Sequence, residues 1–550
     1  MNTTLFSVLI ILFIGITGYL GFLGFKHTRN AKDYLVGGRE IHPLLMALAY
    51  GSTFISTSAI VGFGGAAATF GLGLLWLTFF NIFCGIFLAF VVFGKRTREL
   101  GESLNAHTFP ELMAKRFDSK LIQTFAGGLI FVSMPIYAAA VMIGGARFLE
   151  VNLSGTGINY EIAILIFGLI TAAYVFSGGL KGVVYTDAFQ GGLMFLGMVV
   201  LIIFSYSSLG GLTLAHSKLS ALSHLVPESL AKAGHLGWTA MPKWGSPVWN
   251  NLITTIVLGV GIGVLAQPQL IVRYMTVKSN KELNRAVIAG GIFILFMTGV
   301  AFVVGALTNV WFYESFGKTA LAMVVDPNSG QPVVEQVIPL YVNKALPHWF
   351  GYLFMLSLLS AAMSTLSGQF HTTGTSISYD IYEQSMLRQK HSHRQPLLVA
   401  RLGIVIALAV TLVLSLVLKS YPLIVASATA LFFGLCASTF LPMVITGLFW
   451  RKATKKGALA GMFTGFGLSL LWLGFFQVKI SGALGICKAL FGTPSLIINS
   501  PWAGVDSIII AFPLAIIVTI VVSLFTTNLS EDLIHKCFPK RVMGSPIKTL

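Results

Sequence analysis

The side chains that could bind a ligand in this sequence are mostly uncharged, and they lie inside apolar segments. The clearest group falls in residues 357–370, Ser-Leu-Leu-Ser-Ala-Ala-Met-Ser-Thr-Leu-Ser-Gly-Gln-Phe. Ala361, Ser364 and Thr365 have i, i+3, i+4 spacing and therefore share one helix face. One carbonyl and two hydroxyls on that face could replace part of the hydration shell of a small cation. Hydroxyls that bond only within their own helix would give the same pattern.

Two further apolar segments carry signs of a broken helix. Residues 50–65 combine hydroxyls with glycines, and residues 259–269 place Pro268 deep in an apolar stretch. Proline removes a backbone donor and frees a carbonyl. In lipid, freed backbone groups need other partners, such as an ion or a solute. Paired broken helices predict a transporter site between them, and the alternative is a pair of kinked packing helices.

Ionisable side chains are scarce within the apolar segments. Asp187 lies just inside the start of one such segment, and its short side chain cannot reach far towards water. The alternative is that Asp187 caps that helix beside Thr186. A proton relay needs a chain of carboxylates or imidazoles, and only Asp187 and His371 qualify, in different segments. Na+ held by neutral oxygens therefore fits better than H+, and a proton-coupled transporter is the alternative.

The composition places these residues in a membrane. Of 550 residues, 55% are hydrophobic and only 10% charged, and the mean hydropathy is +0.83. Soluble domains carry about 25% charged residues, so most of this chain must face lipid or other helices. We predict about thirteen spans, at residues 4–25, 43–67, 71–93, 121–148, 160–178, 186–207, 247–272, 287–310, 350–379, 396–418, 422–449, 457–477 and 506–527.

The basic residues predict the orientation of these spans. With the N-terminus outside, 27 of the 36 Lys and Arg residues fall on the inner side. The predicted inner groups lie within residues 26–39, 95–120, 181, 273–285, 388–401, 451–456 and 536–548. This pattern sets membrane topology, so the net charge of +17 does not indicate a nucleic acid partner. We expect a multi-pass protein of the plasma (inner) membrane with a cytoplasmic C-terminus.

One segment is specific enough to indicate a family. Gly178 to Gln190 reads Gly-Gly-Leu-Lys-Gly-Val-Val-Tyr-Thr-Asp-Ala-Phe-Gln. It resembles the signature loop and following helix of the sodium:solute symporter family, whose members carry proline, pantothenate, monocarboxylates or sugars. The resemblance extends from about residue 30 to 450. Supporting pieces are Gly-Gly-Arg-Glu at 37–40, the inner-loop sequence at 107–117, and residues 267–275 and 363–367.

The resemblance implies an all-α polytopic membrane protein with a LeuT-type core of two inverted five-helix repeats. The regions would be an N-terminal extra helix and inner loop (1–42), the first repeat (43–207), an outer loop (208–246), the second repeat (247–450), two C-terminal helices (451–527) and a cytoplasmic tail (528–550). The protein would be a monomer or a loose oligomer in the lipid bilayer.

The resemblance also implies a sodium site between the second and ninth spans. Its ligands would be the carbonyls of Ser52, Ile55 and Ala361 and the hydroxyls of Ser364 and Thr365. Asp187 matches an aspartate that some members use near the inward exit of the cation, and we include it with the cation residues.

The resemblance is less informative about the solute. Tyr137 and Gln267 fit the proline branch, while Phe54 replaces an aspartate of that branch. Ala59 stands where a sugar transporter has glutamine. With Ser56 beside the cation residues, we expect Ser56, Tyr137, Gln267 and Phe54 to bind a small carboxylate or amino-acid-like solute.

Sodium-coupled import by alternating access is therefore the predicted function. A membrane sensor built on a symporter module is the alternative from another class. Enzyme activity is not expected, because the sequence lacks His-Glu-x-x-His, Gly-x-Ser-x-Gly and paired intramembrane carboxylates.

Overall fold

The computed structural model describes residues 3–152, 159–327, 330–386, 395–419 and 424–539. Arg388, Lys390 and Arg394, which contribute to the orientation argument, and residues 540–550 of the predicted tail lie outside the described residues. The described part is almost entirely helical, and a single isolated bridge joins Val325 to Pro332. Ten of the described helices are long and apolar enough to cross a membrane.

We number these ten helices, together with three shorter helices that complete the predicted spans, from α1 to α13. They are α1 Leu5–His27, α2 Pro43–Phe54, α3 Ser58–Ser103, α4 Lys120–Ala146, α5 Tyr160–Ser208, α6 Pro247–Ala266, α7 Pro268–Tyr274, α8 Asn280–Phe316, α9 His348–Tyr382, α10 Leu398–Leu418, α11 Ala428–Phe449, α12 Lys455–Phe476 and α13 Ile508–Leu524. The number of membrane crossings stays a prediction.

Both predicted breaks are present, and each lies in a buried part of the chain. The helix α2 ends at Phe54, and Ile55 takes extended backbone angles of φ −89° and ψ 94°. The second break lies at Gln267, with φ −75° and ψ 120°, because Pro268 begins α7 and restricts the residue before it. Ile55 and Gln267 are each 1% exposed, so their freed backbone groups cannot rely on bulk water.

Two glycines bend long helical runs into the separate spans that the sequence predicts. Gly71 has φ 67° and Gly179 has φ 56°, a region that only glycine adopts readily. A Cβ atom at Gly71 would lie 2.0 Å from the carbonyl oxygen of Trp238, and one at Gly179 would overlap the ring of Tyr34. The helix α5 therefore holds two predicted spans, and α3 holds the end of one predicted span and the whole of the next.

The helix α9 forms the centre of the molecule. It packs against α5, α4, α10 and α2, and its residues from Leu358 to Ser376 are all buried. By contrast, α1 packs mainly on α5, and α12 with α13 packs against α11 at the periphery. The hydroxyl-rich face of α9 is therefore enclosed by protein rather than by lipid.

The loops on the two sides hold short helices that fasten the core. We call the side of residues 208–246 the outer side, following the predicted orientation. There, Trp238 Nε1 donates to the Ala68 carbonyl at 2.7 Å, and His235 Nε2 lies 2.7 Å from the Thr69 carbonyl. These contacts attach the outer loop to the last turn before Gly71.

On the opposite side, a short helix at Phe109–Phe117 carries a buried carboxylate. Burial opposes ionisation of Glu111, but hydrogen bonds from His107 and Lys115 outweigh it and lower the pKa of this carboxyl to about 2. The Lys115 ammonium lies 2.7 Å from Glu111 Oε1, and Tyr379 donates to the same oxygen at 2.9 Å. Glu111 therefore ties the inner loop to the end of α9.

Candidate cation and solute sites at the helix break

The hydroxyls of α9 meet the end of α2 at the first helix break. Ser364 Oγ donates to the Ser52 carbonyl at 2.9 Å, and Thr365 Oγ1 donates to the Thr53 carbonyl at 3.1 Å. All four residues are at most 1% exposed. The helical spacing of Ser364 and Thr365 thus places both hydroxyls on the face that points at α2.

The receiving carbonyls have no partner within their own helix. The last helical bond of α2 runs from Ile55 N to Gly51 O at 2.8 Å, so the carbonyls after Gly51 are left free by the break. The end of a helix also carries a partial negative charge, which attracts cations. The two hydroxyls cap this end, and their oxygens keep lone pairs that could face a cation.

The remaining predicted cation residues lie in the same place. The Ala361 carbonyl accepts from Ser364 Oγ at 3.3 Å, one turn earlier on α9. Ile55 follows α2 directly, in the extended backbone. Ser52, Ala361, Ser364 and Thr365 thus form a cluster of neutral oxygens at the end of α2, with Ile55 next to it along the chain. Neutral oxygen is the donor type that suits a small hard cation.

Asp187 lies beside this cluster, and donors occupy both of its carboxylate oxygens. Thr53 Oγ1 donates to Oδ2 at 3.0 Å, and Ser367 Oγ donates to Oδ1 at 2.9 Å. The backbone carbonyl of Asp187 accepts from Ser52 Oγ at 3.0 Å. In this arrangement Asp187 orients residues next to the cluster of neutral oxygens, and its own carboxylate oxygens accept from hydrogen-bond donors.

The strongest of those donors is Arg273, which the sequence analysis counts among the inner-loop basic residues. The structure buries its guanidinium, 1% exposed, and Nη2 lies 2.8 Å from Asp187 Oδ2. The same Nη2 also contacts Thr53 Oγ1. Residue 273 was missed because it follows an apolar segment directly, where a basic residue ordinarily marks the membrane boundary.

A separate cavity adjoins the break and gathers three of the four predicted solute residues. Phe54, Ser56 and Tyr137 line it, whereas Gln267 does not. Gln267 is buried at the second break, where its Oε1 accepts from the Gln269 amide. No Asp, Glu, Lys, Arg or His is among the described residues that line this cavity.

Five of the twelve residues that line the cavity are aromatic. Tyr137 lies edge-to-face with Phe433 at 5.5 Å between ring centroids, and Phe54 stacks on Phe433 at 6.4 Å. Phe63 and Phe302 are the other two aromatic residues, and aliphatic side chains such as Leu77 and Val260 add to the apolar lining. Such walls favour a compact solute with an apolar body, whose polar groups must be met by hydroxyls, amides or backbone.

Asn81 is a polar residue of this cavity that the sequence analysis did not predict. It is 2% exposed, lines the cavity, and its Oδ1 has no hydrogen-bond partner among the described residues. An unmet buried acceptor costs about 1–3 kcal/mol unless a ligand or water donates to it. The signal was a single amide in the apolar sequence of residues 75–83, which a search limited to ionisable groups does not detect.

The comparisons with known proteins identify the family of the chain. The model of the sodium:solute symporter family matches residues 34–465. The chain belongs to the sodium:solute symporter family. Among its relatives, the osmoregulated proline transporter OpuE of Bacillus subtilis is 27% identical over 505 residues, covering 91% of each chain. The sodium/pantothenate symporter of Haemophilus influenzae is 28% identical over 468 residues, covering 84% of this chain and 89% of the relative.

A solved structure confirms the fold. An outward-open, substrate-bound Na+-coupled sialic acid symporter superposes with a TM-score of 0.71, at 17% identity, over 96% of this chain and 98% of that one. The predicted LeuT-type, all-α polytopic fold is therefore confirmed. This symporter is a multi-pass membrane protein that couples transport of a small solute to Na+, and it is a transporter rather than an enzyme.

Proposed function

We propose that this symporter imports a small carboxylate or amino-acid-like solute by alternating access, with Na+ bound at the end of α2. The cation ligands are the carbonyls of Ser52, Ile55 and Ala361 with the hydroxyls of Ser364 and Thr365, whose mutual contacts support the assignment. The solute lies in the adjoining cavity lined by Ser56 and Asn81. The protein resides in the plasma membrane as a monomer or loose oligomer, with its N-terminus outside and its C-terminus in the cytoplasm.

One observation carries the coupling argument: the unwound chain at Ile55 borders both sites. Ile55 lies two residues after Thr53, whose carbonyl accepts from Thr365, and Ile55 also lines the solute cavity together with Ser56. A cation that fixes this segment also fixes one wall of the cavity. The resulting coupling free energy is reciprocal, so the solute must tighten Na+ binding as much as Na+ tightens solute binding.

Asp187 and Arg273 have a role in the release of the cation towards the inside. Thr53 links the cation ligands to the Asp187–Arg273 pair, because its carbonyl accepts from Thr365 while its hydroxyl donates to Asp187. Arg273 neutralises the buried carboxylate. This ion pair keeps Asp187 from trapping a desolvated Na+, and its opening when α7 moves would offer the leaving cation a carboxylate.

The solute class follows from the lining of the cavity. Hydroxyls of Ser56, Tyr137 and Thr429 and the amide of Asn81 provide hydrogen bonds without a fixed charge. Such a set can hold a carboxylate by donation while the Asn81 carbonyl accepts from an N–H or O–H group of the solute. Proline and pantothenate, named for the two relatives above, both combine a carboxylate with such a donor.

Uptake by purified protein in proteoliposomes tests the proposal. An inward Na+ gradient should drive accumulation of one member of a panel of amino acids and small carboxylates, and an equal K+ gradient should not. A thermal-shift screen of the same panel should give a hit only in Na+, because a ligand that binds the native state stabilises it. Binding without flux would favour the sensor, and accumulation driven by a proton gradient alone would favour the proton-coupled alternative.

A further inference from the structure

A groove lies between α1 and α5 and shares no lining residue with the solute cavity. It encloses about 840 Å³ of space, part of which is open to the surface of the protein. Its lining includes Gly18, Phe22 and Phe25 of α1 and Ile170, Ala173 and Ser177 of α5. None of the described residues that line it is charged. The groove therefore suits an apolar ligand or the apolar part of a larger one.

The packing of α1 on α5 explains why the groove is open. At Gly24 the two helices are in backbone contact, since a Cβ atom there would lie 2.2 Å from Gly182 Cα. At Gly18, less than two turns earlier on α1, a Cβ atom would have no neighbour within 4 Å. Small residues let helices approach closely in a membrane. Here they join the two helices at Gly24 and leave a gap beside Gly18.

The rim of the groove faces the lipid. Phe22 and Phe25 are 58% and 45% exposed, and both lie in the apolar span Leu5–His27. This helix packs mainly on α5, at the periphery of the molecule. Apolar rings that are exposed within a membrane span contact lipid chains, so a lipid chain can enter the groove directly from the bilayer.

Two basic residues lie at the end of the groove where α1 stops. Thr28 Oγ1 donates to the Gly178 carbonyl at 3.1 Å, which places the end of α1 beside Ser177 of the groove. Lys26 and Arg29 lie close to Thr28 in the chain, and both are exposed. Among the described residues, no carboxylate lies within 4.0 Å of either side-chain charge. Both charges are therefore available to an anion at this end of the groove.

The nearby carboxylate of Asp33 is already occupied. Lys181 Nζ lies 2.8 Å from its Oδ1, and the backbone N–H of Arg29 donates to its Oδ2 at 3.1 Å. A third basic residue, Arg401 of α10, donates through Nε to the Phe176 carbonyl at 3.0 Å, beside the same end of the groove. An excess of positive charge next to a membrane span attracts anionic lipid headgroups.

We propose that the groove between α1 and α5 binds an anionic phospholipid. One acyl chain lies over Gly18 and against Phe22 and Phe25, while Lys26 and Arg29 bind the headgroup phosphate. In the proposed orientation this headgroup belongs to the inner leaflet. The bound lipid stabilises the contact of α1 with α5 and is separate from the residues that bind Na+ and the solute, so the inference does not depend on which solute is carried.

Thermal unfolding of the purified full-length protein in detergent, with added dioleoylphosphatidylglycerol or dioleoylphosphatidylcholine, tests the site. The anionic lipid should raise the melting temperature with an at least fivefold lower half-saturating concentration than the zwitterionic lipid, because a ligand that binds the native state stabilises it. Gly18→Leu fills the groove and should raise the half-saturating concentration of the anionic lipid at least fivefold. Gly15→Leu is the matched control, because a Cβ atom there also has no neighbour within 4 Å and Gly15 does not line the groove.

A double variant tests the two charges. Lys26→Gln with Arg29→Gln should raise the half-saturating concentration of the anionic lipid at least fivefold. Lys278→Gln with Arg285→Gln removes the same charge from exposed residues beside the start of α8, and it should bind the lipid like the unaltered chain. The melting temperature of each variant without added lipid shows that the variant is folded.

The outcomes separate a specific lipid site from lipid that merely surrounds the protein. Weaker binding in Gly18→Leu and in the Lys26 and Arg29 double variant, with both controls unchanged, supports the proposal. Equal stabilisation of the unaltered chain by the two lipids overturns it. An anionic-lipid effect that either variant retains, or that the control double variant loses to the same extent, overturns it as well. The proposed function stands in each case, because Na+-driven uptake tests it independently.

Discussion

The Arg273 guanidinium lies 2.8 Å from the Asp187 carboxylate, and both groups are buried in the part of the chain that forms the cation cluster. The pair joins α7, which follows the second helix break, to α5, and the hydroxyl of Thr53 bonds to both partners. The segments at both helix breaks therefore contribute to the same polar network. Removing one partner of a buried ion pair strongly destabilises the folded protein, because the other charge is left buried and unpaired.

Replacement of Arg273 alone should destabilise the protein more than replacement of both partners. Arg273→Met leaves a buried, unpaired carboxylate, for which we expect a loss of about 3–5 kcal/mol. The double variant Arg273→Met with Asp187→Asn should recover part of that loss. Thermal unfolding of the purified protein in detergent measures both effects.

Arg285→Met is the matched control for this pair, because Arg285 is exposed at the start of α8. It should unfold like the unaltered chain. Equal melting temperatures for the Arg273 single variant and the unaltered chain would show that the buried pair does not hold α7 to α5.

Asn81 should control solute affinity without affecting the cation. Asn81→Leu replaces the unpaired amide by an apolar side chain of similar size, and we expect a KM for uptake about tenfold higher or more, since one hydrogen bond of about 1.4 kcal/mol corresponds to a factor of ten. The Na+ concentration that gives half of the maximal rise in melting temperature should not change. Phe79→Leu, on the lipid side of the same helix, is the control. An unchanged KM in Asn81→Leu would remove Asn81 from the site.

The inner loop should lose stability in acid through Glu111. The pKa of this carboxyl is about 2 in the folded protein, below its ordinary value of 4.5, because His107 and Lys115 outweigh the effect of burial. The ionised group therefore stabilises the fold above pH 4.5, and this contribution disappears as the pH falls from 4.5 towards 2.

Melting temperatures of Glu111→Gln and of the unaltered chain check this sign. Their difference should be constant between pH 7 and about pH 5 and should shrink below the ordinary carboxyl pKa. Glu102→Gln is the control, since the Glu102 side chain is 65% exposed and its pair with Arg98 contributes little. A difference that grows as the pH falls would contradict the assignment.

The sequence was sufficient to predict the features that depend on local chemistry. Helical spacing placed Ala361, Ser364 and Thr365 on one face, and Pro268 predicted the break at Gln267. Length and apolarity predicted most spans, and the glycine bends at Gly71 and Gly179 fall at two of the predicted boundaries. These features follow from the chain itself, whatever surrounds it.

The features that depend on packing between distant segments were not predictable in the same way. Arg273 was read as a boundary residue because nothing in its neighbourhood shows that Asp187, 86 residues away, lies opposite it. Gln267 was placed with the solute residues, yet the turn at Pro268 directs it to Gln269 instead. A second cavity, lined by residues such as Ala66, Ile256 and Ala430, combines side chains from α3, α6, α11 and the segments around α12 and α13, which no motif connects.

Na+-dependent uptake by the double variant Ser364→Ala with Thr365→Ala tests the central claim most directly. The variant removes both hydroxyls that meet the end of α2, whereas Thr373→Ala removes a hydroxyl that bonds only within its own helix, to the Gln369 carbonyl at 2.8 Å. In proteoliposomes with matched protein content, we predict that the double variant loses sodium-stimulated uptake and that Thr373→Ala keeps it. Uptake by the double variant with an unchanged dependence on Na+ concentration would contradict the account.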